Sequence, residues 1–420
     1  MTNSTYRKQR TVWIGTCWFT AILNAVFSPG YAQGTTEGET SSEGAVAENV
    51  LRYGIFDVRP TIQGGITYDD NIYTGSGLAG ESEVEDLIWT IAPGLTLGAG
   101  DYQEFQDNLL LLSYTPSLNF FTHNSKENAV DHDAKIAGRY ISGRWTFSLQ
   151  QTYIQRHDPT VDANTRVDRD YWTTDAGARF ELSPKTALDI FGTAAFVENG
   201  EASTPTATIE KLCYNDFSGG VGLDYAITPK VTVGPAFKAG WLDYKDTGTS
   251  LNTDQTYQQG LVRVNYLTTE KVKIRASAGV EFRQFDDPTV SGDDSEVNPV
   301  LELGATYRPL EQTFLNLDAY RREQPSQSQS GNYSATGFAL GVRQTFREFY
   351  AINLRTGFEF LDYDVGDRED CYYFGRLAFE WQPTDKIVGS VWYQYRQNDS
   401  DQAVSEYDNN QFGLTLAYRF

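Results

Sequence analysis

Residues 411–420 (QFGLTLAYRF) place Phe412, Leu414, Leu416, Tyr418 and Phe420 in one row, and Gln411, Gly413, Thr415, Ala417 and Arg419 in the other. Successive side chains leave a strand on opposite sides, so this alternation reads as a β-strand with one greasy face and one wet face. The pattern recurs along the chain. Val272, Ile274, Ala276, Ala278, Val280 and Phe282 alternate with Lys271, Lys273, Arg275, Ser277, Gly279, Glu281 and Arg283. Val231, Val233, Pro235, Phe237, Ala239 and Trp241 form another apolar row. Ile352, Leu354, Thr356, Phe358 and Phe360 form a third, set against Asn353, Arg355, Gly357 and Glu359.

The connections between these segments are sorted by length. Short turns fall at 142–143, 183–186, 228–230, 268–271, 309–312, 347–348 and 382–386. Longer polar loops lie between them, at 158–169, 199–211, 246–254, 286–296, 324–331, 364–370 and 398–406. The period is about 40 residues, which is also that of a propeller blade, but a blade packs four short strands into that length. Here each period holds two segments of roughly 12 to 16 residues, longer than an ordinary soluble strand. The repeat is therefore a hairpin. A strand of about 9 to 11 residues crosses a bilayer at a tilt. In a soluble sandwich the apolar row would face a core; in a transmembrane barrel it would face lipid, with the charged row lining the lumen.

The regular sorting of connections favours the barrel. The sequence thus predicts an all-β fold over residues 54–420: a transmembrane antiparallel up-and-down β-barrel of about 18 strands (roughly 16 to 20), with short periplasmic turns and longer extracellular loops. Tyr114, Phe120, Phe121, Tyr244, Tyr363, Tyr372, Tyr373, Trp392, Tyr393 and Tyr395 are expected to form interfacial girdles.

Residues 1–32 read as a secretory signal peptide. Arg7, Lys8 and Arg10 precede an apolar run, and Gly30 and Ala32 supply small residues at a cleavage site. An uncleaved anchor helix, or a lipoprotein start at Cys17, is the alternative. Residues 33–53, poor in bulky apolar side chains, are expected to be a flexible periplasmic segment. Beyond the leader, Cys213 and Cys371 are a possible pair in an oxidising compartment. The strand count sets them about eight strands apart, which disfavours a disulfide.

Composition narrows the function classes. Tyr (26), Phe (24) and Trp (8) are abundant while Met occurs once, which suits strands. The mean hydropathy of −0.46 is compatible with a barrel, whose alternate residues face lipid. A net charge of −22 argues against a nucleic-acid partner, because no basic field offsets phosphate repulsion. Acids such as Asp286, Asp287, Asp293, Asp294 and Glu296 read as a solvated loop surface, with divalent-cation capture as the alternative.

Catalytic and cofactor constellations are not apparent. Asp131, His132 and Asp133 cannot converge as strand neighbours. Residues 219–222 (GGVG) lack the rest of a dinucleotide fingerprint, and Asp362, Asp364 and Asp367 lack the distal glutamate of a calcium loop. Charged and aromatic residues of the wet rows carry the functional signal. The expected pore lining is Lys273, Arg275, Glu281, Arg283, Arg355, Glu359, Arg376, Glu380, Trp392, Arg396 and Arg419. Trp392 is a candidate for stacking on sugar rings. The expected function is a porin-like channel for hydrophilic solutes. A barrel scaffold for a surface enzyme or adhesin is the alternative.

Tyr68, Asp69, Asp70, Asn71, Ile72 and Tyr73, at the end of an alternating Gly-rich segment, resemble a motif of the β-barrel porin family of Gram-negative outer membranes. Some members of that family accompany exopolysaccharide synthesis and export. Phe412, Leu414, Leu416, Tyr418 and Phe420 are similar to the terminal strand that the barrel-assembly machinery reads. The resemblance implies an outer-membrane barrel without catalysis, and no cofactor is expected. It implies as partners outer-membrane lipid and lipopolysaccharide, the assembly machinery and, for an export conduit, polysaccharide-export components. It supplies no residue-level site. Asp69 and Asp70 are expected to end a strand and start a turn, with cation binding at the outer rim as the alternative.

Overall fold

The computed structural model describes residues 51–420 apart from 79–82, 104–106, 204–207, 210, 246–251, 270, 288–293 and 329–330. The expected signal peptide, residues 1–32, and most of the segment expected to be flexible lie outside the described residues. Eighteen long strands follow one another: β1 (Phe56–Asp69), β2 (Asp86–Gly100), β3 (Leu109–Phe121), β4 (Ala129–Ser142), β5 (Trp145–Arg156), β6 (Arg169–Ser183), β7 (Thr186–Asn199), β8 (Leu212–Thr228) and β9 (Val231–Tyr244). The second half holds β10 (Gln255–Thr269), β11 (Val272–Phe285), β12 (Ser295–Leu310), β13 (Thr313–Pro325), β14 (Asn332–Phe346), β15 (Tyr350–Tyr363), β16 (Glu369–Thr384), β17 (Ile387–Ser400) and β18 (Tyr407–Arg419).

Each strand pairs antiparallel with its chain neighbours, and β18 pairs with β1 from Thr61↔Arg419 to Asp69↔Gln411. The result is a closed barrel with no free sheet edge around its circumference, the arrangement a bilayer demands of spanning strands. Short turns such as 143–144 gather at one end, where Gly143 takes the left-handed φ of 60° that a two-residue turn requires. The longer loops gather at the other. Leu51–Tyr53, at the close of the N-terminal segment, folds back on the start of β1. Pairing of β2 with β3 lapses between Ile91↔Leu118 and Leu95↔Tyr114, where Pro93 and Pro116 have no N–H to give.

The burial pattern is the reverse of a soluble sandwich. On β11, Val280 is 56% exposed and Phe282 39%, whereas Glu281 is 3% and Arg283 4% exposed. Phe412, Leu414 and Leu416 on β18, and Ile352, Leu354 and Phe358 on β15, are likewise exposed. The apolar row is the outer surface and the charged row is the interior, as lipid outside and polar contents inside require. Cys213 on β8 and Cys371 on β16 are separate free thiols.

The aromatic girdle is more divided than the sequence suggests. Tyr114, Phe120, Tyr373 and Tyr393 are exposed on the outer face, and Tyr395 shares that face. Phe121, Tyr363 and Trp392 are buried, and Tyr244 and Tyr372 pack against interior clusters. Their place in the alternation, rather than their nearness to a strand end, sets their side.

Candidate functional site

The candidate site is the barrel interior with the loop that crosses its outer mouth. All eleven side chains expected to line it share the interior row of their strands: Lys273, Arg275, Glu281 and Arg283 on β11, Arg355 and Glu359 on β15, Arg376 and Glu380 on β16, Trp392 and Arg396 on β17, and Arg419 on β18. Most are engaged. Arg283 pairs with Glu281 at 2.7 Å and donates to Gln255 Oε1 at 2.6 Å. Glu380 pairs with Arg343 at 2.8 Å. Glu359 accepts from the Tyr320 hydroxyl at 2.8 Å, and Arg396 donates to Asn409 Oδ1 from two nitrogens. Trp392 is buried rather than presented to the lumen: Arg376 sits 4.2 Å from its ring centroid, and the indole packs against Gly413, where a Cβ would collide with it.

An ion network that sequence reasoning missed braces the wall from β6 to β10. Arg179 pairs with Asp189 (2.9 Å) and Asp224 (2.8 Å), and Arg263 pairs with the same two carboxylates at 2.9 and 2.8 Å. Gly222 leaves room for the Arg263 guanidinium. Four strands contribute, and only the register brings them together.

The mouth is crossed by residues 157–168, the loop between β5 and β6. Asp162 accepts from Ser326 Oγ (2.9 Å), Ser328 Oγ (2.7 Å) and the Gln327 N–H (2.7 Å). Arg368 donates to the Asp162 and Val161 carbonyls at 3.2 and 3.3 Å, while pairing with buried Asp370 at 2.5 Å. Val161 packs on Tyr333, Ala335, Leu361 and Tyr363 of β14 and β15. Those strands lie half-way round the eighteen-strand wall from β5 and β6, so the loop is a strap from one wall to the other. At its root, burial alone would raise the Asp158 carboxyl, but the Arg169 and Arg166 guanidinium groups hold it below its ordinary value. His157 bonds Asp131 at 2.7 Å, and this raises its pKa against the opposing effect of burial. His132 points the other way, stacked between Tyr114 and Tyr153 on the outer face, so the Asp-His-Asp triplet does split.

Beneath the strap lies a cavity of about 160 Å³, lined by Thr160 and Asp162 of the strap and by Tyr171, Tyr214, Tyr257, Tyr333, Asp216, Lys238, Glu302 and Arg322 of the wall. Around it, Asn199 Oδ1, Arg322 Nε and Nη2, both carboxylate oxygens of Glu323 and Gln324 Nε2 are buried without a hydrogen-bond partner among the described residues. Carboxylate oxygens of Glu296, Glu323 and Asp364 lie within 4.8 Å of one another, and burial, with Glu296 nearby, pushes the Asp364 carboxyl up to about 7.

The Tyr68–Tyr73 motif stitches the barrel seam. Asp69 accepts from the Asn71 N–H, and from Asn409 and Gln411 of β18; Asp70 accepts from the Asn410 N–H and side chain. Asn71 bridges Gly75 and the Asp408 carbonyl. Ile72 is wholly buried, and the Tyr73 hydroxyl donates to Glu127, which also meets Arg166 of the strap. Asp69 and Asp70 do end the strand, and their carboxylates are occupied by amide donors.

A family profile described as Putative beta-barrel porin 2 matches residues 50–420. Among solved structures, the outer membrane protein OpdK from Pseudomonas aeruginosa is similar at 12% identity and TM-score 0.44, covering 87% of this chain and 98% of its own. The outer membrane channel DcaP of Acinetobacter baumannii is similar at 13% identity and TM-score 0.43, covering 87% and 97%. OpdL from Pseudomonas aeruginosa stands at 11% identity and TM-score 0.43, covering 87% and 99%. These are likenesses of architecture. No curated protein matches the chain.

Proposed function

Since the chain belongs to the Putative beta-barrel porin 2 family, and so is an outer-membrane β-barrel related to channels rather than enzymes, we propose that it passes hydrophilic solutes, saccharides foremost, across the outer membrane. The supporting observation is the chemistry of the cavity under the strap. Sugar hydroxyls donate and accept at once, and the unpartnered groups there offer both: Asn199 and Glu323 accept, while Arg322 and Gln324 donate. Tyrosines supply flat, amphipathic walls between them. A buried polar group without a partner costs about 1–3 kcal/mol, so a hydroxyl-rich solute that satisfies several of them exchanges its hydration shell at little net cost.

The pathway runs from the mouth, past the strap, through the cavity and along the charged interior rows to the periplasmic end. Interior charges of both signs keep the path hydrated and set a transverse field for polar solutes. The export variant of this reading carries a polysaccharide outward with periplasmic partners. Liposome swelling tests the reading: proteoliposomes diluted into iso-osmotic disaccharide should swell faster than protein-free liposomes. Equal rates would refute it.

A further inference from the structure

Strands β12 and β13 part company before their outer ends. Their pairing stops at Leu301↔Arg321, although β12 begins at Ser295 and β13 continues to Pro325. Pro299 and Pro325 stand in the unpaired ends, and neither has an N–H to give a ladder. The outer end of the β13–β14 hairpin is tied elsewhere. Gln255 of β10 and Asn332 of β14 exchange two hydrogen bonds of 3.1 Å, and Asn252 donates to the Ser326 carbonyl at 3.0 Å. Neighbouring strands lie about 4.8 Å apart, so the four steps from β10 to β14 measure roughly 19 Å along the wall. Two amide side chains cannot span that distance, so the hairpin leans into the barrel.

The lean brings Glu323 to the cavity beneath the strap. Both its carboxylate oxygens are buried, and neither takes a hydrogen bond among the described residues. Glu296 and Asp364 add carboxylate oxygens within 4.8 Å. The cavity's cations are placed elsewhere: Arg169 pairs with Asp158, Arg283 with Glu281 and Gln255, and Lys238 and Arg322 lie over the rings of Tyr257 and Tyr320. Arg283 acts on Glu323 only through space. Arg322 has the Glu302 and Glu359 carboxylates within electrostatic reach, whereas Glu323 has two further carboxylates against it. The unmet charge of the cavity is therefore negative and lies at Glu323. Asn199 Oδ1 and Gln324 Nε2 line the same cavity, also without a hydrogen-bond partner among the described residues, on residues only 8% and 9% exposed.

We propose that this cavity takes a sugar carrying a protonated amine, with the ammonium group on Glu323 and the ring hydroxyls on Asn199 and Gln324. The proposal rests on the saccharide reading of the same cavity and narrows it to amino sugars. A carboxylate withdrawn from water needs a partner, and an ammonium group is a compact cation with three donors, enough to serve converging carboxylates. A neutral sugar leaves that charge unmet, and an acidic one adds to it. The donors beside Glu323 argue for a solute rather than a bare metal ion, which has no use for the Gln324 and Arg322 N–H groups. Size agrees: a cavity of about 150 Å³ holds one benzene ring, so the 160 Å³ here suits one six-membered ring at a time.

Titration calorimetry of the detergent-folded, heat-modifiable protein with glucosamine, glucose and N-acetylglucosamine tests this without requiring conductance. Glucosamine should bind about fivefold more tightly than the two uncharged sugars, the difference expected for one charge contact in water. Glu323→Gln keeps the shape of the side chain and relieves the repulsion among the three carboxylates, so it should fold. It should bring glucosamine down to the level of glucose and leave glucose unchanged. Asn199→Ala should weaken all three sugars alike. Equal affinity of the wild type for glucosamine and glucose, or a glucosamine affinity that survives Glu323→Gln, overturns the proposal. Calcium chloride serves as a second probe: calcium binding that needs Glu323, without glucosamine binding, overturns the amino-sugar assignment in favour of a metal ion. Glucose and glucosamine bound alike by a protein that swells liposomes would overturn the amine preference and leave the channel reading standing. Glucosamine bound through Glu323 by a protein that passes no solute would overturn the channel reading alone.

Discussion

Asn409 donates from its side-chain nitrogen to Asp69 Oδ1 at 2.5 Å, joining residues 340 apart in sequence. The bond sits where the first and last strands meet, at the outer end of the seam that closes the barrel. That seam has the longest loop to close entropically, and the cluster of Asp69, Asp70, Asn71, Asn409, Asn410 and Gln411 supplies side-chain bonds beyond the ladder. Asp69→Ala removes the acceptor of the Asn71 N–H and of Gln411 Nε2 and leaves Asn409 only its longer contacts to Asp70 and the Asn71 carbonyl, a loss of about 1–3 kcal/mol. Guanidinium unfolding of the folded barrel should show a lower midpoint. A midpoint equal to wild type would mean that the ladder alone carries the seam.

The strap makes a second prediction, in which its two anchors separate. Asp162→Ala removes the acceptor for Ser326, Ser328 and Gln327 and leaves the wall intact. It should expose residues 157–168 to added protease with little change in barrel stability. Arg368→Ala frees the strap as well, but it also strands Asp370, which is 1% exposed. Removing one partner of a buried ion pair costs about 3–5 kcal/mol, so this variant should lose stability too. Cleavage at the wild-type rate in Asp162→Ala would show that the strap is held otherwise.

His157 ties the root of the strap to Asp131, with Asp168 at 3.6 Å from its other nitrogen. The bond raises its pKa in the folded state above the ordinary value of about 6.5. The folded state therefore binds the proton more tightly. The stabilisation is complete below about pH 6.5 and is lost as pH rises through the raised value. Protease sensitivity of the strap should increase over that window in wild type and stay flat in His157→Gln. Identical profiles would remove His157 from the account.

The alternation itself can be tested on neighbouring residues of one strand. Leu414 is exposed on the outer face of β18, and Thr415 belongs to the interior row. Leu414→Lys should cost about 2–4 kcal/mol in lipid vesicles, whereas a lysine on the interior row meets polar contents. Thr415→Lys should fold with near-native stability. Equal penalties would contradict the assignment of faces.

Much of the fold was legible because period two in the sequence is period two in space. Val280, Glu281, Phe282 and Arg283 could be assigned to faces from their order alone. The sorting of short and long connections then fixed which end was which. What the pattern could not carry was anything set by register or by loop destination. Arg179, Asp189, Asp224 and Arg263 lie on different strands, and nothing local marks them as one network. Asp162 reads as a loop acid until the strap is seen to reach the opposite wall. Tyr363 and Trp392 look like girdle residues by composition but fall on the interior row, where Tyr363 packs beneath the strap and Trp392 carries Arg376. The Asp69–Asn409 bond was half visible: the motif announced a strand end, and the far strand supplied its meaning.

Single-channel recording of the refolded protein in a planar bilayer tests the central claim most directly. An aqueous path through the barrel predicts stable ohmic steps, and the strap across its mouth predicts larger steps from Asp162→Ala. Silence from both proteins, each shown to be folded by heat-modifiable migration, would contradict the account.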